Sequence, residues 1–489
     1  MRLSSKTLPS VAAGIERPGY DRAAVRPGIV HLGVGAFARA HQAVYIEDCL
    51  ARGEIGWGIV GASLRSPDMR DALAPQDGLY TLAVRSGEGA RLRVIGALRE
   101  VLVALENPAA LIARMADPAI RIVTLTVTEK GYCHDPANGT LDESHPDILH
   151  DRQHPAAPRS APGLLVAALM ARKAAGIAPF TVVPCDNLPA NGKTVKRVLS
   201  RLAALTAPEL GRWVEDEVAC PSTMVDRIVP ATTPQDRAAV ATALGMEDAW
   251  PVMTEPFTQW VVEDHFPSGR PDLAAVGVEL ADDVEPFEHM KLRLLNGSHS
   301  AMAYLGYLAG YETIAETIGD PAFDRFVRAM MDEEVTPTLH MPAGVDLEGY
   351  KAALLRRWAN PALKHRTWQI AMDGSQKLPQ RLLVPIREHL AAGAPFKRMA
   401  LTIAGWMRYV AGTDERGRPI DVRDPLAAIL SAAAHAAGPA PERLAPALLG
   451  ITQVFGHDLP ADPRLREAVT QALGTLTAEG ARRSVEMFA

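Results

Sequence analysis

The length, composition and charge of the chain limit the classes of protein it can belong to. Its 489 residues are too many for one ordinary domain and predict two or three domains, and 48% hydrophobic with 22% charged residues is a normal globular composition. The net charge of -6 argues against a general nucleic-acid binder, which needs a basic face. No run of about 18 apolar residues is present and the N-terminus lacks the apolar core of a signal peptide, so we expect no membrane span. The four widely spaced cysteines, without a CxxC pair, are typical of a cytoplasmic protein.

The first strong strand, residues 28–32, leads directly into a glycine-rich turn and a helix. The turn reads GVGAFA over residues 33–38, and the helix is expected from Arg39 to about Ala51. Strand, GxGxxA and helix in this order predict a dinucleotide-binding unit. The first glycine permits the tight turn, the second lets the backbone approach a pyrophosphate, and the small third residue lets helix and strand pack closely. The predicted cofactor-binding residues of this turn are Gly33, Gly35, Phe37, Ala38 and Arg39.

Two further strands end in polar residues that bear on the cofactor. After the second strand, residues 57–62, an acid often holds the ribose hydroxyls of NAD, but here Arg65 lies near that place and Asp68 follows slightly later. Arg65 could meet a 2′-phosphate instead, so the local sequence leaves NAD and NADP open; we predict NAD, with NADP not excluded. The buried strand at 120–127 ends at Thr128-Glu129, and strand ends near the switch point line the cofactor crevice, so Glu129 joins the predicted site.

The remainder of the N-terminal half alternates strands with helices and loops. Residues 78–84 and 92–96 predict two strands joined by a glycine-rich turn, and about 145–162 is expected to be a polar loop whose histidines lie on the surface. The strand at 180–184 ends in Cys185-Asp186-Asn187, which places Asn187 where a site would lie; an ordinary turn is the alternative. A short extended segment, 221–230, carries Asp226.

From Lys291 onward the pattern is mostly helical. Helices are predicted over 291–309, 321–334, 346–357, 375–393, 396–411, 423–437, 442–454 and 463–480. The predicted architecture is therefore α/β, with a Rossmann-type N-terminal domain followed by a mostly α-helical C-terminal domain. We predict residues 1–285 as the dinucleotide-binding domain with extensions and 286–489 as the α-helical substrate and catalytic domain. Domain clefts are common places for small-molecule sites.

The stretch from Lys291 to His299 is predicted to begin the first of these helices. On an α-helix, Asn296 and His299 would share one side, roughly adjacent to Lys291. A lysine could exchange a proton with an alcohol or carbonyl oxygen, an asparagine could donate a hydrogen bond to it, and a histidine could orient a neighbouring hydroxyl. Taken alone, such residues on an amphipathic helix are more often solvated or capping.

Several motifs together resemble the mannitol dehydrogenase family of polyol-specific long-chain dehydrogenases and reductases. They are Gly33-x-Gly35-x-Phe37-x-Arg39-x-His41, Thr126-x-Thr128-Glu129-Lys130-Gly131-Tyr132, Cys185-Asp186-Asn187-Leu188-Pro189, Met224-Val225-Asp226-Arg227-Ile228-x-Pro230 and Lys291-x4-Asn296-Gly297-Ser298-His299. The resemblance covers nearly the whole chain, and the last motif is similar to the family's signature.

The resemblance implies a metal-independent hydride transfer with Lys291 as the general acid and base. It further implies that Asn187 and Asn296 flank the substrate oxygen, that His299 binds or orients the substrate, and that Glu288 assists proton exchange with solvent. Asp226 and Lys377 would contact the sugar chain. Burial would bring the lysine, whose ordinary pKa is about 10.4, toward the working range, and amide donors stabilise a developing alkoxide.

Within the family, five stretches resemble the fructuronate reductase (mannonate oxidoreductase) branch: residues 128–133, 226–231, 360–365, 370–381 and 405–409. The mannitol-type branch has an arginine four residues before Asp-Gly-Ser, where this chain has Gln369. A sugar acid would need a cation for its carboxylate, and the possible residues are Arg293, Lys364, Arg366, Lys377 and Arg381.

The predicted function is NAD-dependent reduction of D-fructuronate to D-mannonate by a monomer or small homo-oligomer in the cytoplasm. The predicted partner is a sugar acid or polyol, without nucleic acid or membrane. The alternatives are a mannitol-, arabinitol- or sorbitol-type polyol dehydrogenase and a dinucleotide-binding protein that has lost its chemistry. Retention of Lys291, Asn296, His299 and Asn187 speaks against the last.

Overall fold

The computed structural model describes residues 1–135 and 138–489, which form two compact units, Met1–Glu285 and Pro286–Ala489. The strands all lie in the first unit. They are β1 (Pro27–Leu32), β2 (Gly58–Ser63), β3 (Tyr80–Ser86), β4 (Gly89–Ile95), β5 (Leu98–Val103), β6 (Ile122–Leu125), β7 (Thr181–Pro184), β8 (Thr223–Asp226), β9 (Val252–Thr254), β10 (Gln259–Glu263) and β11 (Glu279–Ala281).

The helices of the first unit lie mainly between these strands. They are α1 (Ala36–Ala40), α2 (Gln42–Ala51), α3 (Asp68–Leu73), α4 (Pro108–Ala116), α5 (Pro146–Gln153), α6 (Ala161–Ala174), α7 (Asn191–Thr206), α8 (Pro208–Glu217) and α9 (Pro234–Leu244). Helix α10 (Glu285–Met290) begins at the last residue of this unit.

The second unit is helical throughout its regular elements. Its α-helices are α11 (Ser298–Ala309), α12 (Ile314–Gly319), α13 (Pro321–Ala329), α14 (Leu347–Trp358), α15 (Thr367–Ala371), α16 (Gly374–Leu378), α17 (Val384–Ala392), α18 (Lys397–Val410), α19 (Ala427–Ala437), α20 (Pro441–Leu449), α21 (Thr452–Phe455), α22 (Pro463–Glu479) and α23 (Ala481–Phe488). Three π-helical segments interrupt these helices: Lys291–Gly297, Met330–Val335 and Pro379–Leu383.

A five-stranded parallel sheet organises the first unit, in the order β5-β2-β1-β6-β7. Alternate residues of β1 face opposite sides: Val30 and Leu32 belong to one apolar core, and Ile29 belongs to the other. The chain leaves β1 toward β2 and later returns to its other side as β6, which makes the ends of β1 and β6 the topological switch point. The predicted Rossmann-type fold and the helical C-terminal half are confirmed.

Two smaller sheets extend this unit. The predicted pair of strands is confirmed as the β3–β4 hairpin, which β9 joins on its other side in parallel. A second small sheet has β10 between β8 and β11. Its strand β8 ends at Asp226, so this sheet determines the position of that predicted substrate residue.

Two local predictions were wrong. The expected loop at 145–162 contains helix α5, which begins at Pro146 and is capped by the His145 side chain accepting from the Asp147 N–H. The helix expected to start at Lys291 starts earlier, at Glu285, and Lys291 opens a π-helical segment within it. Apolar periodicity failed in both places, because α5 is short and mostly polar and a π segment does not keep the α-helical period.

The second unit is built around α11 and α18. Tyr304 of α11 and Trp406 and Tyr409 of α18 are almost fully buried, and the Tyr304 and Tyr409 ring centroids lie 5.5 Å apart. Helix α15 also packs on α11 and brings residues 367–371 beside the helix that carries His299. No helix in the described ranges is long and apolar enough to cross a membrane.

Candidate active site

The turn after β1 has the backbone geometry that a dinucleotide-binding turn requires. Gly33 has a φ of +88°, and a Cβ built on it would lie 2.1 Å from the Thr126 carbonyl oxygen, so no other residue fits there. Gly35 caps α1 without any side chain, and a Cβ on it would meet nothing nearer than 3.8 Å. The backbone at Gly35 is therefore open to the close approach of a pyrophosphate. These residues fit the predicted nucleotide cofactor.

The other residues of the predicted cofactor turn lie on α1. Ala38 is buried, as close packing of helix and strand demands, and the Phe37 ring stacks on the His41 ring with centroids 5.0 Å apart. Arg39 is 1% exposed; its Nη1 donates to the Trp250 carbonyl (2.6 Å), and its guanidinium lies 5.2 Å from the centre of the Tyr80 ring. The Arg39 side chain thus points into the protein interior, where burial lowers its pKa to about 10.

Arg65 and Glu129 follow β2 and β6, and both are exposed at the carboxyl ends of the parallel strands. Thr128, immediately before Glu129, has φ 64° and ψ 162°, a backbone conformation that is costly for any residue except glycine. The 3₁₀ turn Glu129–Tyr132 follows directly. The switch point therefore carries a strained turn beside the glycine-rich one.

Asp186 bridges the ends of β6 and β7. Its carboxylate accepts hydrogen bonds from the Val127 N–H (2.8 Å), the Thr128 N–H (3.1 Å) and the Tyr132 hydroxyl (2.8 Å). Burial raises the pKa of this carboxyl to about 6, and the three hydrogen bonds oppose that increase. The next residue, Asn187, is exposed.

Asp226, the last residue of β8, is 5% exposed and pairs with Gln259 in the sheet register. Its neighbour Arg227 is also buried, and its guanidinium donates to the carbonyls of Ala40 and Glu255. Those bonds fix the chain just after Asp226 from two directions.

In the second unit, Lys291 begins the π-helical segment that ends at Gly297, and α11 continues the helix. Because a π-helix bonds residues five apart instead of four, Lys291 and Asn296 come closer to one side than an α-helix would bring them. Lys291 and His299 are buried at 7% and 6% exposure, and Asn296 is half-buried. Glu288 lies half-buried in α10, three residues before Lys291.

His299 lies in an aromatic and strongly cationic environment. Its ring centroid is 5.6 Å from Trp358 and 5.3 Å from His365. Its Nε2 and the Trp358 Nε1 are buried and have no hydrogen-bond partner within residues 1–135 and 138–489. Burial holds the pKa of His299 well below its ordinary value, and a proton on His365 and the charges of Arg357, Arg381 and Lys377 lower it further. Burial also lowers the pKa of His365, to about 4, so His365 is neutral at neutral pH.

Arg381 links this cationic cluster to the Lys291 segment. Its Nη1 donates to the Asn296 carbonyl (3.3 Å) and to the Ser300 hydroxyl (3.2 Å). Burial lowers the pKa of Arg381 to about 10, so it remains charged at neutral pH. Lys377 lies four residues before Arg381 in the chain. Its amine donates to the carbonyls of Met372 (2.6 Å) and Ile370 (3.3 Å).

The other predicted cations lie in different surroundings. Arg293 is 4% exposed; both of its terminal nitrogens contact the Glu388 carboxylate (2.8 and 2.9 Å), and Nη1 also donates to the Thr338 carbonyl. Lys364 is exposed at a left-handed turn, with φ 47°. Arg366 forms an ion pair with Glu312 at the surface.

Sequence reasoning missed three members of the His299 surroundings and the bridging role of Asp186. Arg357 and Trp358 lie in the last turn of α14, and no motif marked them. His365 lies in the stretch 360–365 that resembles the fructuronate reductase branch, but no role was predicted for it. Its position next to Lys364 in a basic stretch was the available signal.

Comparison with known proteins identifies the family. Residues 27–275 match the mannitol dehydrogenase Rossmann domain, and residues 283–477 match the mannitol dehydrogenase C-terminal domain. The chain belongs to the mannitol dehydrogenase family. It is accordingly an oxidoreductase, and the predicted resemblance is confirmed.

Relatives in the mannitol dehydrogenase family differ in their substrates. A D-mannonate oxidoreductase of Escherichia coli is 47% identical over 96% of this chain and 97% of the relative. A mannitol 2-dehydrogenase of Aspergillus fumigatus is 42% identical over 100% and 99%. The structure of Pseudomonas fluorescens mannitol 2-dehydrogenase in ternary complex with NAD and D-mannitol is 41% identical, with a TM-score of 0.88 over 100% of this chain and 99% of that one.

Proposed function

We propose that this oxidoreductase is an NAD-dependent D-fructuronate reductase, which interconverts D-fructuronate and D-mannonate. The observation that carries the proposal is the positive charge around His299. Besides burial, the arginine and lysine side chains near this histidine lower its pKa: Arg357, Arg381 and Lys377. A sugar acid brings a carboxylate, which such surroundings favour over a neutral sugar.

The Lys291 segment supplies the proton transfer in this proposal. The protonated Lys291 ammonium gives a proton to the substrate oxygen during reduction, and the neutral Lys291 amine takes one from the alcohol during oxidation. Glu288 passes protons between Lys291 and solvent. Asn296 donates a hydrogen bond to the same oxygen. His299 is neutral because of its burial and its cationic neighbours, so it orients a substrate hydroxyl without adding another charge.

In the first unit, Gly33 and Gly35 would hold the cofactor pyrophosphate, and Glu129 and Arg65 at the neighbouring strand ends would meet the rest of the nucleotide. Bound NAD supplies or accepts the hydride. The interior position of Arg39 gives it a supporting role beneath the turn instead of a phosphate contact. Asn187 would donate to the substrate oxygen, and Asp226 would contact the sugar chain.

Among the predicted cations, Arg381 is the one we assign to the substrate carboxylate, with Lys377 beside it. Arg381 is half-buried, and its hydrogen bonds to Asn296 and Ser300 both use Nη1, which leaves Nε and Nη2 for a ligand. Arg293 is engaged by Glu388 and Thr338, so we assign it to packing. Lys364 is exposed and would act at longer range.

The alternative is a polyol 2-dehydrogenase with the same catalytic residues. The relatives named mannitol 2-dehydrogenase are nearly as similar as the D-mannonate oxidoreductase, at 42% against 47% identity. Gln369, which distinguishes this chain from the mannitol-type pattern, is exposed on α15.

The deciding experiment measures NADH oxidation with D-fructuronate and D-fructose side by side, repeated with NADPH. We expect kcat/KM for fructuronate to exceed that for fructose roughly 10- to 100-fold, the effect of one buried charged contact. Faster reduction of fructose would establish the polyol alternative. Equal rates with NADPH would contradict the NAD assignment.

A further inference from the structure

The Asp186 carboxylate ties the backbone after β6 to the end of β7. Two of its three hydrogen bonds come from consecutive peptide N–H groups, those of Val127 and Thr128, and the third comes from the buried Tyr132 hydroxyl. The three donors bracket the turn that contains Glu129. A single carboxylate therefore fixes both ends of the turn.

This turn needs an external restraint. Thr128 occupies a backbone region with positive φ and extended ψ, which costs of order 1–3 kcal/mol for a residue other than glycine. Such strain persists only where the surroundings over-determine the conformation. The bond from the Thr128 N–H to Asp186 acts on the strained residue itself.

The backbone on the other side of Asn187 is held as well. The Asn191 amide nitrogen donates to the Asp186 carbonyl (3.1 Å) and to the Thr223 carbonyl (2.8 Å), while its oxygen accepts from the Thr223 N–H (2.9 Å). The peptide that carries Asn187 is thus anchored to β6 through the Asp186 side chain and to β8 through Asn191.

We propose that Asp186 is a positioning residue that sets both the turn at residues 128–132, which borders the cofactor crevice, and the peptide that carries Asn187. This inference rests on the proposed function for the role of Asn187, but its effect on the crevice holds for any dinucleotide bound there. A carboxylate is required because both of its oxygens must accept hydrogen bonds. An asparagine would turn an NH2 group toward the N–H or hydroxyl donors.

The protonation state of Asp186 provides a signature. Burial raises its pKa to about 6, the negative charge of Glu129 raises it slightly, and the hydrogen bond from Tyr132 lowers it. Cys185, which precedes it, is a buried thiol whose pKa is itself raised by burial. As the pH falls through about 6, Asp186 gains a proton and loses acceptor capacity, so the restraint weakens on the acid side.

The test compares Asp186→Asn with the wild type and with Asp216→Asn, which removes an exposed carboxylate from α8 in the same unit. NADH affinity is measured by fluorescence titration without substrate, and kcat/KM is measured with the better of fructuronate and fructose, both from pH 5 to 9. For Asp186→Asn at pH 8 we expect an NADH Kd raised about tenfold and kcat/KM lowered at least about tenfold. In the wild type, kcat/KM should decrease as the pH falls below about 6 (the acid limb of the pH profile), and this decrease should be absent in Asp186→Asn. Asp216→Asn should match the wild type.

Wild-type values within twofold for Asp186→Asn would overturn the proposal. The proposal would also be overturned if Asp186→Asn lost activity but its kcat/KM still decreased below about pH 6. That decrease would then be caused by another titrating group. If Asp186→Asn does not fold, Tyr132→Phe decides: losing its hydrogen bond should move the acid limb to higher pH, and an unmoved limb would refute the assignment. A wild type that reduces neither sugar would refute the proposed function, while the NADH titration would still decide on Asp186.

Discussion

Replacing Arg381 by methionine should separate the two substrates that the proposal distinguishes. The bonds from Arg381 to the Asn296 carbonyl and the Ser300 hydroxyl are long, at 3.3 and 3.2 Å, so their loss should cost about 1 kcal/mol, or roughly fivefold in kcat/KM, for either substrate. A charge-assisted bond to a carboxylate contributes about 1.5–3 kcal/mol more, and only fructuronate has that carboxylate. The ratio of kcat/KM for fructuronate over fructose should therefore fall roughly 10- to 100-fold.

The assay is NADH oxidation at pH 8 with both substrates, and Arg366→Met is the matched control. Arg366 is an arginine of the same basic stretch, but its ion pair with Glu312 lies at the surface, so its loss should leave the ratio unchanged. Arg381→Lys should recover part of the ratio, because it keeps the charge without the planar fork. An equal loss with both substrates would show that Arg381 only positions Asn296.

Three further variants test the cofactor and catalytic assignments. Lys291→Ala should lower kcat by roughly 100- to 10,000-fold while NADH Kd stays within threefold, and turnover that survives unchanged across the pH range would end the general acid–base assignment. Gly33→Ala should abolish NADH binding in a titration and lower the Tm, because its Cβ would lie 2.1 Å from the Thr126 oxygen; normal affinity would contradict the turn's role. Arg65→Asp should leave KM for NADH within about threefold of the wild-type value and should make the binding of NADPH weaker than in the wild type. A wild-type preference for NADPH that this variant abolishes would show that the NAD assignment is wrong.

The parallel sheet and its glycine-rich turn could be predicted because each rests on a local signal. Residues 28–38 combine a β-branched strand with a turn that only glycine can make, and the structure confirms both. The β3–β4 hairpin could be predicted for the same reason, because its strands and turn have a local sequence pattern. The assignment of cofactor and substrate binding to residues 1–285 and 286–489, and all of the individual residue roles, remain predictions.

The surroundings of His299 could not be predicted, because they are assembled from segments far apart in the chain. Arg357 and Trp358 end one helix, His365 follows a turn, and Arg381 lies in a π-helical segment. None of these positions has a spacing that refers to His299. Only their proximity to the His299 ring in the folded chain shows that they form a group.

The π-helical segment at Lys291–Gly297 determines how this helix responds to a change in length. A π segment accommodates one more residue in a turn than an α-helix does. Deleting one residue between Lys291 and Asn296 would let the segment relax to α-helical geometry, and the two residues, then four apart, would still share one side of the helix. Because the segment absorbs the change, α11 would stay in register and His299 would keep its place beside Trp358. A single-residue deletion in this segment should therefore displace His299 less than the same deletion at the start of α11.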